Sequence, residues 1–205
     1  NVLNELDELG EGRMGAVLCG LLDRVLERDG KLVVIEPALL RVSRKLTSLR
    51  DAVLKSGRYS TPAPCGHSER CPLNAEPKDW CHFEAAWDPP PLRRRLEEFL
   101  DHRARSLKYS YVVFEQREKK RPEFTYRVLS DPLESREGAC VLLCSPERKI
   151  ALYYNRNSKA GAIIQGLRRG DWVRAKIDAK LISDAPVRRY ALEIKAPDDL
   201  EIGRL

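Results

Sequence analysis

The sequence predicts an α/β protein with a helix–strand–helix start and a β-rich end, joined through an irregular cysteine-rich segment. Three observations carry this. Apolar residues recur at helical spacing over 13–28 and 38–55, with the short β-branched run KLVVIEP (31–37) between them. From Gly57 to Pro91 the periodicity stops, and Pro, Gly, Ser and Cys dominate. Beyond residue 106, short apolar runs alternate with turn residues, as in strands joined by short connections.

Taken in order, RMGAVLCGLLDRVLER (13–28) is a helix stopped by Asp29-Gly30, with Cys19 as a small core residue. KLVVIEP reads as a buried strand, and 38–55 as a helix with Leu39, Val42, Leu46, Leu49 and Val53 on its inner side. Helix, buried strand, helix is the rhythm of a parallel sheet. The chain opens without Met in mid-pattern, so the first strands of that sheet are expected upstream of Asn1. LRRRLEEFLDHRARS (92–106) is an amphipathic helix with Leu92, Leu96, Phe99 and Leu100 as its core stripe. Strands follow at 108–116, within TYRVLSDPLE, in a hairpin over 139–156 that turns at 145–148, and at 170–182 and 188–195. The expected divisions are 1–56, 57–91 and 92–205.

At 205 residues the chain can bury a real core, and 42% hydrophobic with 33% charged residues places it among soluble globular proteins. No apolar run approaches the roughly 20 residues of a membrane span, so a membrane is not an expected partner. The net charge of +6 is concentrated in clusters. Arg93, Arg94 and Arg95, then Lys119, Lys120 and Arg121, then Arg168 and Arg169 are the candidate nucleic-acid contacts, since basic patches attract polyanions.

Six cysteines placed this unevenly do not describe a secreted disulfide framework. Three of them fall in PCGHSERCPLNAEPKDWCHF as Cys65, Cys71 and Cys81. Thiolates select zinc, copper(I) or iron–sulfur clusters. A closed site needs a fourth ligand, for which Cys140, Cys144, His67 and His82 are all available. Zinc modules pair their ligands closely, whereas gaps of five and nine residues suit a cubane cluster with one thiolate per iron. A bound centre would also hold a segment that is long for a structureless loop, and Trp80, Phe83 and Trp87 argue that the segment is ordered.

PCGHSERCPL followed by DWCHF resembles the Cys-Pro-His…Cys-Pro…Trp-Cys-x-Phe signature of the ribosomal small-subunit methyltransferase-like family. That Rsm-type family comprises a mitochondrial small-subunit assembly factor and its bacterial relatives. VLNEL at 2–6, VIEP at 34–37 and the pairing of LLC (142–144) with GDW (170–172) agree with it, so the likeness spans essentially the whole chain. It implies the C-terminal part of a class I, Rossmann-like methyltransferase fold with a cluster-binding cysteine insertion. It also implies a 4Fe–4S cluster on Cys65, Cys71, Cys81 and Cys144, with Zn2+ as the alternative metal, and S-adenosylmethionine as cofactor of the full-length protein. The family's Pro after the first ligand is Gly66 here. Its glycine-rich cofactor loop is absent, since no strand precedes Gly10-x-Gly12, which leaves Asn4 and Glu5 as the trailing edge of the cofactor site.

The resulting expectation is a ribosome-assembly factor of methyltransferase ancestry that binds small-subunit rRNA and is held together by a structural cluster. The alternatives are an active rRNA methyltransferase and a zinc-stabilised nucleic-acid-binding module. Nothing like an Asn-Pro-Pro-Tyr motif is present to position a base amine, which weighs against the first alternative. The run VVIEP between helices weighs against the second. Bacterial cytoplasm is the expected compartment, with the mitochondrial matrix as alternative.

Overall fold

The structure is a computed structural model, and it describes residues 3, 10–100, 106–116, 125–135, 138–175, 179–183, 188–192 and 200–203. Helix α1 (Glu11–Val25) leads to strand β1 (Lys31–Pro37), helix α2 (Leu40–Leu54) and strand β2 (Ser60–Ala63). A 3-10 turn (Pro72–Ala75), strand β3 (Phe83–Ala86), helix α3 (Pro91–Phe99) and strand β4 (Ser106–Glu115) complete the first half. The second half holds β5 (Thr125–Val128), β6 (Leu133–Ser135), β7 (Gly138–Cys144), β8 (Lys149–Tyr154) and helix α4 (Lys159–Gln165). It ends with β9 (Trp172–Ala175), β10 (Ala179–Ser183), β11 (Arg188–Leu192) and β12 (Leu200–Gly203).

The helices and β1 lie where the apolar periodicity puts them, but the sheet they build is not the expected parallel one. β1 pairs antiparallel with β4, from Lys31 opposite Glu115 to Pro37 opposite Tyr109. β2 also runs antiparallel to β4, so β1 and β2 are parallel to one another and linked through α2. The β–α–β rhythm is therefore real, with a much later strand inserted between its two strands. Nor is β1 buried on both faces. It lies at the edge of this sheet among the described residues, with Val33 51% and Ile35 58% exposed. Local periodicity specifies a strand but carries no record of a partner some 80 residues downstream.

The core of this half lies between α1, α2 and the inner face of β4. Leu22, Val53 and Phe114 are fully buried there, and Cys19 joins them at 6% exposure. Each such large apolar side chain contributes about 1.5–3 kcal/mol of burial. The helices approach closely because Gly15 faces Ala52: a Cβ at Gly15 would stand 2.6 Å from the Ala52 Cβ. Four of the predicted inner positions of α2 are buried (Val42, Leu46, Leu49 and Val53), whereas Leu39 caps the helix and is exposed.

Two strands share one edge of β4. β2 pairs near its C-terminal end, with Ala63 opposite Val113, and β3 pairs near its N-terminal end, with Phe83 opposite Tyr109. Ser110, Tyr111 and Val112 lie in the gap, and the chain leaves and re-enters the sheet across it as the excursion 64–82. The second sheet has the order β10-β11-β8-β7-β5-β9-β12, with β6 also on β7. It is antiparallel as expected except for one parallel pair, β8 with β11. The hairpin β7–β8 turns over Ser145–Arg148, as the sequence predicts.

The excursion is held by protein contacts. Arg44 on α2 donates from Nη1 to the carbonyls of Glu76 (2.7 Å), Asp79 (3.0 Å) and, more weakly, Leu73 (3.4 Å), and from Nη2 to that of Asn74 (3.0 Å). The Thr47 hydroxyl adds a 2.7 Å bond to Asn74 Oδ1. One basic side chain thus gathers four carbonyls that form no strand ladder. α3 reverses the expected orientation. Leu92, Leu96, Phe99 and Leu100 are 71%, 49%, 87% and 66% exposed, so they form an outer stripe and not a core one. The packed side is polar: Glu97 is buried and accepts from Arg93 Nε at 2.9 Å, and Arg93 lies over the Trp87 ring. Periodicity identifies a stripe without saying which way it faces. The remainder of the predicted helix, 101–105, lies outside the described residues.

Candidate metal centre

Cys65, Cys71, Cys81 and Cys144 all line one cavity. It opens at the gap between β2 and β3 and is walled by apolar groups that include Leu46, Leu73, Val112 and Leu129. Cys65 follows β2, Cys71 precedes the 3-10 turn, Cys81 precedes β3, and Cys144 ends β7 in the second sheet. Cys140 lies four residues earlier on β7, opposite Leu133 and Tyr153, and is buried away from this cavity. Of the two candidate histidines, His67 lines the cavity, with Nε2 3.7 Å from Cys144 Sγ. His82 stacks on Trp80 outside it. Among the described residues, no three Cys, His, Asp or Glu side chains are gathered tightly enough to hold a single metal ion.

Cys71 and Cys81 are positioned through their backbone. The Cys71 N–H donates to both carboxylate oxygens of Asp51, at 3.1 and 3.0 Å. The Cys81 carbonyl accepts from Ser110 Oγ at 2.7 Å, and that hydroxyl also meets Ser43 Oγ at 2.7 Å. Arg50, 1% exposed, donates from Nη1 to Asp51 Oδ1 (2.6 Å) and the Glu69 carbonyl (2.5 Å), and from Nη2 to the His67 carbonyl (2.6 Å). Cys144 is set by its strand, between Arg127 on β5 and Lys149 on β8.

Two basic residues absent from the sequence-based candidates belong to this site: Arg50 and Arg127 both line the cavity. The signal for Arg50 was its position on α2, four residues after Leu46 and three before Val53, in the middle of the apolar stripe. Arg127 had no such signal, because β5 is four residues long and adjacent residues in it are both buried.

Burial dominates the electrostatics. Desolvation, and then the nearby Cys65, push the Cys71 thiol up from 9.0 to about 11. The same causes push Cys81 and Cys144 up, each also feeling the other cysteines around the cavity. A group that binds its proton more tightly when folded contributes stability below its unfolded pKa and loses it as pH rises through the folded value. In metal-free protein Cys71 alone is therefore expected to cost on the order of 2 kcal/mol of stability between pH 9 and about 11. The check is the urea midpoint at both pH values for wild type and Cys71→Ala. The fall should be smaller in the variant, and equal falls would count against the assignment. A metal-bound site would respond in the opposite sense, because thiolate ligation releases protons and acid reverses it.

The candidate nucleic-acid residues are dispersed. Arg93 is occupied by Glu97 and Trp87, and Arg94 pairs with Asp88 and donates to the Pro89 carbonyl at 2.9 Å, while Arg95 is exposed. Arg168 is exposed, and Arg169 leans toward Glu84 at 4.0 Å, close enough to Cys81 to favour its thiolate. Lys119, Lys120 and Arg121 lie outside the described residues, as do the cofactor candidates Asn4 and Glu5. Beside the latter, Leu3 N–H donates to the buried Glu36 Oε1 at 3.0 Å, tying the VIEP motif to the start of the chain. No helix among the described residues is long and apolar enough to cross a membrane.

Residues 2–174 match the protein family described as mitochondrial small ribosomal subunit Rsm22. No curated protein matches the chain.

Proposed function

The chain belongs to the family described as mitochondrial small ribosomal subunit Rsm22, and from that membership we propose that it associates with the small ribosomal subunit as an rRNA-binding assembly factor built around a structural 4Fe–4S cluster. The observation that carries the cluster reading is the meeting of four cysteines, three from the excursion between β2 and β3 and one from the second sheet, on one cavity. The donor set fits such a group: soft thiols, apolar walls, and two buried guanidiniums to balance negative charge. When bound, the cluster supplies four iron–thiolate bonds that cross-link the excursion to β7. Cys65, Cys71, Cys81 and Cys144 would hold it. Arg50 and Asp51 fix the backbone around the first two, Ser110 fixes the third, and Phe83, 5% exposed, helps close the site to water. A single zinc ion is the second reading. It is favoured by the approach of His67 to Cys144, but a zinc site needs four donors at about 2.0–2.3 Å from one point, a tighter gathering than these side chains make.

Methyltransferase ancestry is supported by the β1–α2–β2 crossover, the element of a Rossmann-like sheet, and by Glu36 at the end of β1 reaching back to Leu3. In this reading S-adenosylmethionine is a cofactor of methyltransferase ancestry, and the assembly role requires no methyl transfer. The family's mitochondrial description fits the matrix, and bacterial cytoplasm suits the same chemistry.

For RNA, the exposed arginines Arg94, Arg95 and Arg168 are the strongest candidates, since surface ion pairs such as Arg94 with Asp88 are weak and exchange readily for phosphate. Co-sedimentation with purified small subunits tests the reading. Binding should fall steeply with salt, and Arg94→Glu with Arg95→Glu should weaken it by about tenfold or more at low salt. Absence of co-sedimentation even at low salt would contradict subunit association. Unchanged binding by the double variant would remove α3 from the interface.

A further inference from the structure

Arg127 is a guanidinium buried to 5% exposure with no carboxylate within ion-pair distance among the described residues. Its Nε and Nη2 are sealed from solvent and have no hydrogen-bond partner, although the guanidinium also reaches the Tyr111 hydroxyl. Arg50 differs, because Asp51 neutralises it and both its terminal nitrogens are bonded. The Arg127 side chain lies 5.0 Å from the centre of the Phe83 ring, its backbone is opposite Cys144 in the β5–β7 ladder, and it lines the same cavity as the four cysteines. Gly170 makes room for this stack. Its φ is +100°, and a Cβ there would stand 3.2 Å from Phe83 Cδ1 and 3.8 Å from Arg127 Nη2. A buried charge with idle donors is costly unless something in the cavity accepts them.

We propose that Arg127 is the counter-charge of the four-cysteine centre, a positioning residue whose Nε–H and Nη2–H serve the sulfurs of the bound cluster and hold its reduction potential up. The proposal rests on the cluster reading above. A cubane in its usual resting state carries two positive charges on its core and four thiolates around it, leaving a net negative body in an apolar cavity. One added electron increases that negative charge without transferring a proton. A fixed guanidinium therefore stabilises the reduced form more than the oxidised one, and N–H groups directed at sulfur act in the same direction. Removing the charge should lower the potential.

The test uses the full chain purified without oxygen, as wild type, Arg127→Met and Arg127→Lys. Each is assayed for iron and sulfide and titrated with dithionite, which supplies one electron per cluster, against mediator dyes. The expected result is a loaded Arg127→Met protein whose reduction equilibrium constant is about tenfold lower, a drop of about 59 mV for one electron. Arg127→Lys should recover most of that drop, because it keeps the charge and loses only the fork. A loaded Arg127→Met protein at the wild-type potential would overturn the proposal while leaving the cluster reading intact. If Arg127→Met folds by circular dichroism but takes up no iron, loading of Arg127→Lys supports the charge requirement. Failure of both variants to load would assign Arg127 to packing on Phe83 and overturn the proposal. Wild-type protein without iron overturns the cluster reading, and this proposal with it.

Discussion

Replacing Cys144 with serine is expected to abolish the proposed cluster, whereas the same replacement at Cys140 should leave it in place. Both cysteines lie on β7, four residues apart, and a strand's alternation directs them to the same side. They differ in what they meet. Cys144 ends the strand on the wall of the cavity shared with Cys65, Cys71 and Cys81, and Cys140 is packed between β6 and β8. Cys144 is also the proposed ligand that would connect the second sheet to the excursion, so its loss would remove the cross-link between them. Metal-binding free energy at such sites is largely folding free energy, and the variant should lose on the order of 5 kcal/mol or more relative to the loaded protein. Cys140→Ser places a hydroxyl in a buried position and should cost about 1–2 kcal/mol with the chromophore unchanged. Absorbance and thermal melts of the anaerobically purified variants decide this. A retained chromophore in Cys144→Ser would make Cys144 a bystander.

Arg50→Met is expected to be the most damaging substitution in the metal-free protein. The guanidinium is 1% exposed and is bonded to Asp51 and to the carbonyls of His67 and Glu69. Methionine fills the volume but leaves two carbonyls unserved and the Asp51 carboxylate without its cation. Breaking a buried ion pair from one side costs about 3–5 kcal/mol. The urea midpoint should fall accordingly with little change in slope. Arg50→Lys should recover only part of the loss, because a single ammonium does not reproduce the forked geometry. Metal-free protein that tolerated Arg50→Met with a loss below about 1 kcal/mol would mean that the excursion is organised by the metal and not by α2.

These two residues also mark how far the sequence could be read. Cys65, Cys71 and Cys81 were legible because three thiols within one aperiodic segment are chemically conspicuous. Cys144 was legible by resemblance, since the residues alone left Cys140, His67 and His82 open. Arg50 could have been found, as a charge in the middle of the α2 stripe requires a buried partner, here the excursion itself. Arg127 could not, because β5 is too short to display a period. The pairing of the first sheet is hidden from the sequence for a related reason. β1 and α2 follow local rules, whereas the placement of β4 between β1 and β2 is decided by pairing across some 80 residues. Periodicity marks the apolar stripe of α3 but not its direction, and in the fold it is Glu97, paired with Arg93, that is buried. Helix α4, seven residues long and started by the Ser158 hydroxyl accepting from Gly161 N–H at 2.9 Å, escaped notice within the β-rich end.

The most direct test of the central claim is the metal content and Mössbauer spectrum of the full chain purified under strict exclusion of oxygen. Four irons and four sulfides per chain, with a broad absorbance near ~400 nm and the signature of a cubane, are the predicted result. Stoichiometric zinc with no sulfide, or a chain that folds and binds small subunits with no metal at all, would contradict it.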